Sequence, residues 1–164
     1  MHRTAVAFAL ALALAACGGA HKPLTNQQAA PPQSNGKDAS AGDPKAVCAK
    51  RSDTFGPFEL DAAQAAARYG QNAKTYAEAP STKEKPIEVC GVGASLAWLM
   101  AATCSNGKPA FTDGADAHDS RSGSLGGGGR CGAIIDLYVA KCPEAEYKIY
   151  VDMYMCGPNE TFLE

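Results

Sequence analysis

Apolar positions along the chain are grouped, and the spacing within each group predicts a different element. Residues 5–14 form an unbroken apolar run behind His2 and Arg3, too short to cross a bilayer as a helix. From 18 to 46 the pattern lapses into Gly, Ala, Pro, Gln, Asn and Ser with scattered charge, and no aromatic residue occurs. Such a stretch buries too little surface to offset its ordering entropy, so it is expected to be a disordered tether with a reach of roughly 30 Å. Apolar residues return at Phe58, where 58–60 reads as a short strand. Asp61-Ala62-Ala63-Gln64 then fits a capping box, the alanine-rich stretch 62–69 propagates a helix, and Gly70 supplies a left-handed stop.

Beyond Pro86, residues 87–92 read as a second short strand. Ser95 is placed to cap a second helix in which Leu96, Leu99, Met100 and Thr103 share one face, with Asn106-Gly107 ending it. Residues 105–130 are rich in Gly, Ser and Asp and read as a long loop. The strongest β pattern is at the C-terminal end, where 134–140 and 147–155 flank a six-residue turn and predict a hairpin. Pairing Val139 with Tyr147 sets Leu137 opposite Ile149 and Ile135 opposite Val151, a continuous apolar face. The other face then carries Asp136, Tyr138, Lys148, Tyr150, Asp152 and Tyr154. A slip of one residue would set Tyr138 opposite Ile149 and Asp136 opposite Val151, so the first register is expected. Two short helices followed by a C-terminal antiparallel hairpin define an α+β domain.

The formal charge is −2, with 15 basic and 17 acidic residues, and no basic patch stands out, so nothing favours a nucleic-acid partner. There are seven cysteines. Setting Cys17 aside leaves Cys48, Cys90, Cys104, Cys131, Cys142 and Cys156, an even set that predicts three disulfides whose fifteen connectivities stay open. A zinc site is disfavoured because no two cysteines stand in C-x₂₋₄-C spacing. A local Cys90–Cys104 bridge is not expected either: nine helical residues between them span about 13 Å, against about 7 Å for bridged Cα atoms. The domain is therefore expected to be disulfide-stapled and to run from 48 to 164.

Leu14-Ala15-Ala16-Cys17 places a cysteine directly behind an aliphatic and two small residues. With the apolar run ahead of it, this resembles the signal peptide and lipobox of bacterial lipoproteins. The resemblance covers residues 1–17 and implies that 1–16 are removed, that Cys17 becomes the mature N-terminus, and that its thiol carries a diacylglyceryl group. Two or three acyl chains hold a protein firmly at a membrane. Gly18, in the place where aspartate marks inner-membrane retention in enteric lipoproteins, points to the outer membrane, facing either the periplasm or the surface.

Candidate chemistry is sparse. Gly93-Ala94-Ser95-Leu96-Ala97 resembles the nucleophile elbow of α/β-hydrolases, G-x-S-x-G, with Asp113, Asp116 and His118 downstream in that fold's order. The last glycine is missing, however, the chain is too short for that fold, and capping already explains Ser95. Asp113, Asp116, His118 and Asp119 form a dense set of metal-capable side chains without EF-hand spacing, and read as a solvated acidic loop. Arg121 and Arg130 flank a Gly-rich segment that lacks the G-K-[ST] of a P-loop. Its Ser-Gly-Ser is similar to the loop of small lysozyme-inhibiting lipoproteins, but the tyrosine expected after it is absent. These readings add up to a lipid-anchored envelope domain that binds a protein or an envelope polysaccharide without catalysis, cofactor or metal. Its contacts are expected from Asp136, Tyr138, Tyr150, Asp152, Tyr154, Arg121 and Arg130. An inhibitor of an exogenous hydrolase is the alternative, and a small serine hydrolase a remote one.

Overall fold

The computed structural model of the chain describes residues 47–51 and 54–163. The expected signal peptide, the lipidated Cys17 and the tether of 18–46 lie outside the described residues. The described part is a small α+β domain of short helices and strands, closed by three disulfides.

Strand β1 (Phe58–Glu59) leads into helix α1 (Ala62–Ala66) through the capping box. The Gln64 amide donates to Asp61 Oδ1 at 2.8 Å, and the Asp61 amide donates to Gln64 Oε1 at 2.9 Å. The helix ends earlier than its alanines predict. Gly70 does adopt positive φ (73°), and a Cβ there would run into the Ile87 side chain, so backbone and packing both require glycine.

Strand β2 is only Ile87–Glu88, because helix α2 (Gly91–Ala101) begins four residues before the expected cap. Cys90 occupies the N-cap position, and Gly91 makes the entry at φ 80°. Ser95 is thus interior and 1% exposed, its hydroxyl donating back to the Gly91 carbonyl at 3.1 Å. Gly107, far from ending a helix, closes a turn through its amide to the Cys104 carbonyl.

The expected loop 105–130 contains two elements. Helix α3 (Gly114–Asp119) is capped by Asp113, whose carboxylate accepts from the amides of Ala115 and Asp116, both at 2.9 Å. The glycine-rich segment forms strand β3 (Arg121–Gly128), with register shifts between Arg121 and Gly123 and between Ser124 and Gly127. It pairs antiparallel with β4 (Ala133–Lys141), which pairs antiparallel with β5 (Glu146–Asp152). Strand β2 adds to β5 in parallel, giving the order β2-β5-β4-β3, while β1 pairs in parallel with β6 (Met155–Cys156) in a separate ribbon.

The β4–β5 register is the slipped one: Tyr138 faces Ile149, Asp136 faces Val151, and Val139 faces Lys148. The reversal follows from tertiary partners that hairpin pairing alone does not contain. Arg121 and Ser124 on β3 reach Asp136, which lets a carboxylate sit on the buried face. Tyr138, Ala140, Ile149 and Val151 then meet Trp98 and Leu99 of α2 in the main core, while Leu137, Val139 and Tyr150 are left half-buried on the outer face. A second, smaller core gathers Val47, Phe58, Leu60, Ala133 and Met155.

The disulfides are Cys48–Cys131, Cys90–Cys156 and Cys104–Cys142, with Cα separations of 5.1, 4.6 and 5.6 Å. Two of them fasten the entry and exit of α2 to the β-structure, and the third ties the start of the described chain to the β3–β4 turn.

Candidate functional site

The residues expected to form one binding face are dispersed by the register. Asp136 and Tyr138 are each 1% exposed and Asp152 is 0% exposed, so none of the three presents a surface to a partner. Tyr150 lies on the outer face, its amide donating to Ser81 Oγ at 3.0 Å. Tyr154 is half-buried, with its ring 5.4 Å from that of Phe162 and its amide 3.0 Å from Asp152 Oδ1. The two arginines are structural cations. Arg121 donates to both oxygens of Asp136, at 2.9 and 2.8 Å, and these bonds hold its guanidinium above its ordinary pKa. Arg130 grips Glu88 with two nitrogens, at 2.9 and 3.0 Å.

The hydrolase-like set does not converge on a nucleophile. Ser95 spends its hydroxyl on its own helix, and exposed His118 lies 3.3 Å from the neighbouring Asp119 carboxylate. Asp113 caps α3, and Asp116 accepts from the Thr112 amide at 2.9 Å, so both carboxylates have local structural work. Among the described residues, one group brings three metal-type ligand atoms within 4.8 Å of each other: Cys104, Cys142 and Glu144. Both of its sulfurs are already joined in a disulfide.

Two features went unseen in the sequence. One is an open concavity of about 480 Å³ where α3 meets the ends of β4 and β5. Phe111 and Val139 line it, with Asp116, Asp119 and Glu146 against the single cation Lys141. It assembles from three separate segments, and only chain folding brings them together. The other is a buried pair of carboxyl groups, Glu88 and Asp152, on directly paired positions of β2 and β5. Asp152 Oδ1 accepts from Tyr154, but Oδ2 has no hydrogen-bond partner among the described residues. Burial pushes the Asp152 carboxyl up to about 7. The Tyr154 amide offsets part of this, Glu88 adds to it, and Arg130 and Arg51 oppose it. A polar residue at 88 within an apolar strand was the one available signal.

No family model matches the chain, and neither a curated protein nor a solved structure is significantly similar to it. Among the described residues no helix is long and apolar enough to cross a membrane.

Proposed function

We propose that the chain is a lipid-anchored domain of the bacterial cell envelope, held in the outer membrane through Cys17, and that it acts by binding rather than by catalysis. The observation that carries this reading is the pairing of all six cysteines beyond the lipobox, the state expected of an exported domain. Cross-linking of remote segments also favours a binding role, because a surface already rigid loses little entropy when it docks. The contact region is placed at the acidic concavity and the adjoining half-buried residues Leu137, Val139 and Tyr150. The buried residues Asp136, Tyr138 and Asp152 take no part.

The test begins with the mature N-terminus. Mass spectrometry should find cleavage before Cys17 and a diacylglyceryl adduct, and an unmodified or internal Cys17 would remove the anchor. The oxidised domain is then used to capture partners from envelope fractions, alongside a variant carrying Asp116→Asn, Asp119→Asn and Glu146→Gln. Capture that the variant retains in full would rule out the concavity. Capture and inhibition of one soluble hydrolase would replace this reading with an inhibitor.

A further inference from the structure

We propose that Asp152 is a protonation-controlled latch. Its neutral form lets the β3–β4 turn and residues 81–86 close over the end of β5, and its ionisation frees that turn together with the N-terminal segment tied to it by Cys48.

Asp152 is the last residue of β5 and is flanked on both sides, by Glu88 of β2 and Ile135 of β4. Over its free oxygen lies Gly129, at φ 61°, where a Cβ would stand 3.0 Å from Oδ2 and 3.2 Å from Pro86 Cγ. The Gly129 amide is engaged elsewhere, donating to the Lys83 carbonyl at 2.8 Å. Oδ2 therefore faces backbone and a proline ring that offer it no hydrogen.

The charged groups around Asp152 come from three segments. Glu88 approaches from β2, Arg130 from the turn, and Arg51 from the segment ahead of β1. Arg130 is committed to both oxygens of Glu88. Arg51 donates to the Gly56 carbonyl and lies over the Phe58 ring. Lys83, which packs over Gly128, contributes its backbone carbonyl to the Gly129 bond. Within the trio of Glu88, Arg130 and Asp152, two carboxyl groups thus share one arginine, and that trio is neutral only while Asp152 keeps its proton.

Ionised, Asp152 needs water or a donor. The covering element best able to yield is the turn, which carries Gly129 and Gly132 at positive φ and is held over Asp152 by the Lys83 bond. Cys131 within it is bonded to Cys48, so an opening turn pulls on Val47 and Cys48.

The experiment is hydrogen exchange of the full oxidised chain, read at single amides by NMR between pH 5 and pH 8 and corrected for intrinsic chemistry. The Asp152 carboxyl carbon is titrated in parallel. Opening at the Gly129 amide should rise by up to about tenfold per pH unit towards pH 7 and then level off. The amides of Val139 and Cys142, at the far end of the sheet, should stay constant. Asp152→Asn should remove the rise. A flat Gly129 profile, a rise that survives the substitution, or a carboxyl carbon titrating in the ordinary range overturns the latch. If the variant does not fold, the wild-type curves decide the matter: coincident midpoints support the latch and separate midpoints refute it.

Discussion

Asp136 and Asp152 sit on neighbouring strands and solve burial in opposite ways. Asp136 accepts from Arg121 twice and from Ser124 Oγ at 2.7 Å, so its charge is met where it forms. Removing the cation strands a buried anion, whereas neutralising the anion does not. Arg121→Ala is accordingly expected to cost about 2–4 kcal/mol and Asp136→Asn distinctly less. Urea unfolding at pH 7 reads both, and equal losses would contradict the account. For Asp152 the linkage has the reverse sign from an ordinary paired carboxylate. Its folded pKa is raised from 3.8 to about 7, so its stabilising contribution is complete below pH 4, falls away as the pH climbs to 7, and is constant above. The difference in unfolding free energy between wild type and Asp152→Asn should shrink or reverse by a few kcal/mol over that interval. A difference independent of pH would mean that the carboxyl is already ionised in the fold.

At the scale of the element, helix α2 separates local from tertiary determinants. Its sequence carries no charge, and its buried residues Gly91, Ser95, Trp98 and Leu99 include a serine. As a cap, Ser95 would cost about 1 kcal/mol on replacement by alanine. Inside the helix, alanine propagates better and the lost hydroxyl was bonded only to its own backbone. Ser95→Ala should therefore change stability by less than about 0.5 kcal/mol in thermal unfolding, and a full unit of destabilisation would restore the cap. The same contrast explains what could be read beforehand. The capping box at Asp61 was legible because its bonds close within four residues, and the disulfides were legible as an even set of cysteines. The start of α2 was hidden because glycine at 91 and 93 speaks against a helix until packing overrides it. Strand β3 was hidden because glycines carry no periodicity, and it stands through pairing with β4 and the Arg121 and Ser124 bonds to Asp136. The candidate site was the least legible part. Register decides which residues are exposed, and a one-residue slip exchanged the two faces of β4, bringing Asp136 and Tyr138 inward and Leu137 and Val139 outward, while Ile149 and Val151 of β5 kept the buried face.

For the molecule as a whole, the cross-links span 83, 66 and 38 residues, long loops whose closure weighs on the unfolded chain. Replacing any one pair by serines should lower stability by roughly 3–4 kcal/mol. Peptide mapping under non-reducing conditions should recover only Cys48–Cys131, Cys90–Cys156 and Cys104–Cys142, with no thiol open to alkylation in the native protein. This pairing also bears on biogenesis. Under the export proposed above, the chain emerges N-terminus first. Cys48 then meets Cys90 and Cys104 in the oxidising compartment before its own partner has arrived, and Cys90 waits for the last cysteine of all. No native bond joins consecutive cysteines, so bonds made in order of arrival are wrong and must be exchanged. Correct assembly is therefore expected to depend on a disulfide isomerase, as a protein oxidised in sequence order would not. Reduced chain reoxidised without a thiol–disulfide exchange buffer should give a mixture of isomers, and the same chain with that buffer should converge on one species.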